Sequence, residues 1–394
     1  NEILKMLDSF ERININDIKN PFYLFRPNIL VKKVKYFLKN FDGEVIYSIK
    51  CNPSRFILKC MYNLGLKSFD ASSINEVKIV RNLFSDAKIL FMNPIKPRHS
   101  ISEAYFNFGV RDFAIDHQWE LKKILEESKN AKDLNIFLRL SIPNNFSMIK
   151  LNEKFGIKND AALRLLKEIK KKSSKIGITF HPGSQCMNPE AYKIGFEITA
   201  ELLKNSKIKV DYLNIGGGFP STYPGLKPLP LVSYLNLVNS QFKNILPLNR
   251  RVKLLSEPGR CLVSDSMSLI VRVDLRKDNI LFINEGIYGS LNNAGNLSLR
   301  YPVRLLNSKN NQSRLIPFSF YGPTCDSNDF MKGPFLLPDS IKEGDFIEIN
   351  EMGAYSTTMR TSFNGFDQDI KVFVLNGESL NLLGSSNYFE LKKI

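Results

Sequence analysis

The chain has 394 residues, 43% of them hydrophobic and 24% charged, which fits a folded protein too long for a single core. Its apolar runs all fall short of the ~18 residues of a membrane span, and the opening "NEILKMLDSFERININD" has no basic stretch leading to a small-residue cleavage site, so the expected setting is the cytoplasm. The 55 Lys+Arg against 39 Asp+Glu, formally +16, invite a nucleic-acid partner, yet the lysines are dispersed through helical-looking segments such as "LRLLKEIKKKSSK" without a zinc-finger, RRM or KH signature; neither nucleic acid nor membrane is expected as a partner.

In chain order, "NPFYLF" is a strand candidate that can join a distant sheet. From residue 44 short apolar stretches alternate with amphipathic ones: "EVIYSIK", "KSFDAS", "AKILFMN", "RDFAID", "LNIFLRL", "KIGITFHPGS", "VDYLNIGGG" and "VKLLSEPG". Helical segments such as "PSRFILKCMYNLG", "SINEVKIVRNLF" and "NDAALRLLKEIKKK" lie between them. Eight such units without a repeated dinucleotide fingerprint predict a closed (β/α)8 TIM barrel rather than an open sheet. After about residue 260, "SLIVRVDLRK", "NILFINEG", "GDFIEINEMGAYS" and "DIKVFVLN" predict strands, and "PFLLPDSIKEGD" (334–345) a loop and turn. The expected fold class is therefore α/β plus β: a barrel over 27–256, and a C-terminal β domain over 257–394 joined by 1–26.

Cysteines at 51, 60, 186, 261 and 325 show no CxxC spacing, and histidines at 99, 117 and 181 form no HExxH-like cluster. Neither a disulfide scaffold nor a metal site is expected. In a barrel, chemistry collects where strands end at their C-terminal side. Lys50, Asp70, Arg139, His181, Gly216 to Gly218, Glu257, Gly259 and Arg260 all fall near such ends. Taken alone, Lys50 is either a lysine that snorkels from the last pleat or an amine placed for covalent chemistry. "NIGGGF" and "EPGR" can bring backbone N–H groups and a guanidinium to a phosphate. Glu257 is suited to face a pyridine nitrogen, His181 to lie against a ring, and Ser184 to reach a phosphate. Asp70, Glu76 and Arg139 can supply supporting charge, though each is also compatible with a plain salt bridge.

Together "YSIKCN", "FDASSINEV", "HPGSQC", "IGGGFP", "SEPGR", "YGPTCDSND" and "EMGAYSTTMRTSFNGF" resemble the eukaryotic-type ornithine decarboxylases. Their wider family includes diaminopimelate and arginine decarboxylases of the alanine-racemase-like fold, and the likeness runs in order over nearly the whole chain. The resemblance implies a pyridoxal 5'-phosphate enzyme in which Lys50 holds the cofactor, His181 stacks on its ring and Glu257 partners its nitrogen. It makes Ser184, Gly217, Gly218, Gly259, Arg260 and Tyr355 phosphate-binding positions, with Asp70, Glu76 and Arg139 as the charged surround. It also implies a homodimer with shared sites, in which the neighbouring subunit inserts Cys325 and Asp326, and Phe363 lines the pocket. Cys325 is then the group that favours protonation at the substrate Cα.

The implied reaction is decarboxylation of a basic L-amino acid, ornithine to putrescine foremost and lysine to cadaverine beside it. Diaminopimelate or arginine decarboxylase, or a catalytically silent regulatory relative, are the alternatives. One position departs from the pattern. In "IYGSLNNAGNLSLRYP" an ungapped match puts Leu297 where ornithine decarboxylases usually carry a second aspartate facing the distal amine.

Overall fold

Eight parallel strands close on themselves in the computed structural model, which describes residues 19–306, 313–367 and 370–374. They are β2 (Glu44–Ser48), β3 (Ser68–Ala71), β4 (Lys88–Phe91), β5 (Asp112–Ile115), β6 (Asn135–Arg139), β8 (Lys175–Thr179), β10 (Tyr212–Asn214) and β11 (Lys253–Ser256). Closure comes from β11 pairing with β2, Leu255 opposite Glu44 and Ser256 opposite Val45. The strands are buried on both faces, which is why they appear in the sequence as apolar runs rather than alternations. Ile46, Leu90, Met92, Ala114, Phe137, Tyr212 and Leu255 form one buried cluster. Gly177 makes room for it, since a Cβ there would lie 2.2 Å from the Phe137 ring. The connecting helices are amphipathic: Asn159–Lys172 buries Leu165, Leu166 and Ile169 and leaves Lys170, Lys171 and Lys172 to solvent.

The eight-strand barrel is the one the sequence predicts, with one local difference that matters. β2 stops at Ser48, and Ile49–Cys51 is a 3-10 turn, so Lys50 stands on a turn just past the strand. Buried Tyr47 fixes that turn by donating its hydroxyl to the carbonyl of Asn52 at 3.0 Å. Two short strands, β7 (Ser147–Ile149) and β9 (Ser184–Cys186), form a separate antiparallel pair. The compact unit that holds the barrel comprises 33–222 and 227–262.

The other compact unit is built on a mixed sheet. Its longest strand, β12 (Met267–Lys277), pairs with β1 (Phe22–Phe25), β13 (Ile280–Ile283) and β17 (Phe346–Ile349). β14 (Val303–Leu305), β15 (Leu315–Tyr321), β16 (Phe330–Pro338) and β18 (Lys371–Val374) complete it. The N-terminal strand therefore joins the C-terminal β unit, as expected: β1 lies between β12 and β18. Phe22, Leu24, Ile270, Leu306 and Phe346 pack together there. Glu348 is fully buried in this sheet; burial pushes its pKa up, but Ser268, Arg26 and Arg304 outweigh that and hold it below the ordinary value.

The loop expected from 334 begins later. Residues 334–338 continue β16, because Phe335 and Leu337 alternate with exposed Leu336 and bury themselves as strand residues do. Among the described residues no helix is long and apolar enough to cross a membrane, and no three His, Cys, Asp or Glu side chains are grouped to hold a metal ion.

Candidate active site

At the C-terminal ends of the barrel strands, Lys50 donates to Asp70 Oδ2 at 2.9 Å, and Ser48 Oγ donates to the same oxygen at 2.8 Å. The Asp70 side chain is 1% exposed and the Lys50 side chain 39%, so a buried carboxylate holds an amine that reaches open space. Asp70 Oδ1 is buried without a hydrogen bond. The turn carrying Lys50 is tied to the "SEPGR" segment by Ser48 N–H donating to the Pro258 carbonyl at 3.2 Å.

Glu257 follows β11 and is buried. Burial raises its pKa, Asp70 adds to the rise, and Lys50, Arg139 and Asn214 oppose it. Asn214 Nδ2 donates to Glu257 Oε1 at 2.5 Å. Arg139, at the end of β6, is buried; that burial works against its charge, which Glu257 and Asp70 favour. His181 lies two residues past β8, and its pKa falls well below the usual histidine value through burial and the positive charges of Arg139 and Lys50. Gly183 N–H donates to His181 Nδ1 at 3.0 Å, so this neutral ring carries its proton on Nε2.

The phosphate-type donors also converge. Arg260 Nη2 donates to Ser184 Oγ at 3.4 Å, and Cys186 N–H donates to the Gly218 carbonyl at 2.9 Å. Gly218 has φ +93°, and a Cβ there would lie 2.4 Å from the Gly183 carbonyl oxygen, so both conformation and space demand glycine. Gly217 packs equally close to the Glu257 carbonyl, and Gly259 against Cys51. Glu76 is also engaged locally. It heads the helix Ile74–Leu83, where Ser73 Oγ accepts its N–H, and its carboxylate accepts Ser72 N–H at 2.6 Å as in a capping box. Lys50 and Asp70 act on it only through their charge, and burial raises its pKa.

Within the β unit, Cys325 is exposed and its N–H donates to Asn364 Oδ1 at 3.1 Å. Asp326 accepts from the Tyr288 hydroxyl and from Asn328 N–H; these donors, the tyrosine first, hold its pKa below the ordinary value. Phe363, 40% exposed, lies with its ring 4.6 Å from that of Tyr288. Tyr355 adopts a left-handed backbone with φ 55°, and its carbonyl accepts from Asn293 Nδ2 at 3.5 Å. Leu297 caps the short helix Asn292–Asn296 and is half-buried.

Four residues escaped the sequence reading. Ser48 and Asn214 are the hydrogen-bond partners of Asp70 and Glu257. Gln185 exchanges a pair of hydrogen bonds with the Ser221 backbone, at 2.6 and 3.1 Å, pinning the loop after the glycines to β9. Tyr288 meets Asp326. The motifs "YSIK", "LNIGGG", "GSQC" and "IYGS" contained all four, but nothing in those letters says which partner each side chain takes.

Residues 28–264 match the family described as pyridoxal-dependent decarboxylase, pyridoxal-binding domain. The chain is 30% identical to a lysine/ornithine decarboxylase of Selenomonas ruminantium over 82% of its length and 81% of that protein's. It is 28% identical to antizyme inhibitor 2 of Xenopus laevis, over 92% and 83% respectively. The crystal structure of the Paramecium bursaria Chlorella virus arginine decarboxylase matches with a TM-score of 0.83 at 26% identity, covering 95% of this chain and all of that one.

Proposed function

The chain belongs to the pyridoxal-dependent decarboxylases, and on that premise we propose that this enzyme of basic amino-acid decarboxylation acts first on L-ornithine, giving putrescine, and also on L-lysine, giving cadaverine. The observation that carries the choice of a cationic substrate is Asp326. Its carboxylate is kept ionised by Tyr288 and Asn328, beside the exposed Cys325, which suits a distal ammonium group.

The residues gathered in the barrel fit pyridoxal phosphate: an amine in reach of open space, a neutral imidazole, a buried carboxylate, and a hydroxyl and guanidinium together near glycine backbone. Lys50 is proposed to hold the cofactor, with Asp70 positioning the amine when it is free. Ser184, Gly217, Gly218, Gly259, Arg260 and Tyr355 are proposed to bind its phosphate. His181, neutral, would lie against the ring without adding charge, and Glu257 would keep the ring nitrogen protonated. Bound there, the cofactor supplies an electron-accepting ring for the pair left on Cα when carbon dioxide departs. Cys325 Sγ is proposed to deliver the proton to Cα, from a neighbouring copy in a homodimer that shares its sites. Asp326 would come from that same copy and face the substrate side chain, and Phe363 is proposed to line the pocket.

Leu297 bears on the substrate. With a leucine where a second carboxylate is usual, Asp326 is left to hold the distal charge with neutral neighbours, which weakens selectivity for ornithine's chain length. A regulatory, non-catalytic role is favoured by the likeness to antizyme inhibitor 2; the presence of Lys50, His181, Glu257 and Cys325 supports catalysis. The test is a product assay with ornithine, lysine, arginine and meso-diaminopimelate on protein supplied with pyridoxal phosphate. Putrescine and cadaverine are the expected products. No amine from any of the four, together with no cofactor absorbance band that Lys50→Ala abolishes, would overturn the reading.

A further inference from the structure

Asn214 ends β10 and is fully buried, yet both ends of its side chain are engaged. Its Oδ1 accepts Gly216 N–H at 2.9 Å, while its Nδ2 donates to Glu257 Oε1 at 2.5 Å. The orientation of the amide is forced. A backbone N–H can only donate, so the atom facing Gly216 must be the oxygen, and the NH2 is left for the carboxylate. The backbone adds two further ties: Glu257 N–H donates to the Gly216 carbonyl at 2.8 Å, and Ser256 Oγ donates to the same oxygen at 3.1 Å. Among the described residues, no hydrogen bond reaches Glu257 Oε2.

We infer that Asn214 is a positioning residue for the reaction: it fixes Glu257 through Oε1, keeps that carboxylate ionised by donating to it, and leaves Oε2 to face the cationic nitrogen of the cofactor ring. This rests on the proposed role of Glu257. The competing view is that Asn214 merely closes a turn, since an Asn oxygen accepting the N–H two residues on is an ordinary local motif. The two views part at one atom. A turn needs only Oδ1; the positioning role needs the Nδ2 donor.

Asn214→Asp separates them, because it preserves the oxygen for Gly216 and nearly the same volume while replacing the donor with a second acid. Two carboxylates at hydrogen-bond distance cannot both ionise easily, so the pair shares a proton and Glu257 titrates at higher pH. The measurement is the dissociation constant of pyridoxal phosphate from the full chain, without amino acid, followed through its absorbance band from pH 5.5 to 9. The wild type, Asn214→Asp and Glu257→Gln are compared.

In the wild type, affinity falls on the acid side as Glu257 takes up a proton. Asn214→Asp is expected to move that midpoint to higher pH by about one unit or more, and Glu257→Gln to remove it. If Asn214→Asp superimposes on the wild type while Glu257→Gln loses the acid limb, Asn214 is only a turn residue and this inference is overturned, with the role of Glu257 intact. If Glu257→Gln keeps both affinity and acid limb, the role proposed for Glu257 fails, and the inference with it. Should Asn214→Asp not fold, judged by circular dichroism, Asn214→Ser is compared in the same way, since its hydroxyl can still accept the Gly216 N–H of the turn while the donor to Glu257 is lost, and it must shift the midpoint upward.

Discussion

At the scale of single residues, the proposed substrate choice turns on the charge offered to a distal ammonium. Restoring a carboxylate with Leu297→Asp adds a charge-assisted contact to a distal ammonium, worth roughly 1.5–3 kcal/mol, so kcat/KM for ornithine should rise about 10- to 100-fold. Asp326→Ala should lower it by a similar factor without weakening pyridoxal phosphate binding. Steady-state rates and a cofactor titration on the same preparations check both; equal loss of cofactor and activity in Asp326→Ala would contradict the assigned role. Glu257 yields a pH prediction. Its folded pKa lies above the ordinary value of 4.5, raised first by burial and then by Asp70. Its contribution to stability is therefore full below the unfolded glutamate pKa, and is lost as pH rises through the raised value. Thermal unfolding of the cofactor-free protein should show this decline, and Glu257→Gln should flatten it; an unchanged slope in the variant would assign the decline elsewhere.

Among elements, Lys96 is the clearest case of one side chain holding several loops. It is fully buried, and its Nζ meets Glu120 at 3.0 Å and the carbonyls of Asn93 and Ala114 at 2.8 and 2.7 Å. Glu120 opens the helix Gln118–Glu127, and Asn93 follows β4, so one ammonium joins a strand exit, the end of β5 and a helix start. Burial lowers the Lys96 pKa to about 8, with Glu120 opposing that fall. Lys96→Met leaves four acceptors, the Pro94 carbonyl at 3.4 Å among them, without this donor, although Lys123 still meets Glu120 at 2.6 Å. A cost of about 3 kcal/mol follows from breaking one side of a buried pair. Urea unfolding measures it, and a cost below about 0.5 kcal/mol, typical of a surface change, would show the pair to be dispensable.

For the whole molecule, the proposed homodimer has a consequence that needs no structural detail of the interface. If Lys50 acts in one subunit and Cys325 arrives from the other, chains carrying Lys50→Ala and chains carrying Cys325→Ala are each defective. Equal mixing after dissociation gives about half mixed dimers, each with one intact site of two, so about a quarter of wild-type activity should return. No recovery would mean that both residues serve the same chain's site. The net charge of +16 enters at this scale as well. It disfavours approach of a cationic amino acid, so kcat/KM should depend on local carboxylates such as Asp326 rather than on long-range attraction.

The barrel, its eight strands and the N-terminal strand's place in the C-terminal sheet are legible in the residues alone. These are local signals: strands buried on both faces are apolar throughout, helices show one apolar stripe, and glycine marks the only backbone that fits, as at Gly218. β14, β15 and β16 escaped, because partly exposed strands alternate weakly and a proline at 334 resembles a turn signal. Tertiary structure alone decided the partnerships: Lys50 with Asp70, Gln185 with Ser221, and Asn214 with Glu257, which are 20, 36 and 43 residues apart in the chain. A hydrogen bond depends on where two side chains point once the strands have paired, and parallel pairing sets β10 beside β11 whatever the length of the helix between them. Residue type could nominate Glu257 for the site; only the closed barrel gave it Asn214 as its donor.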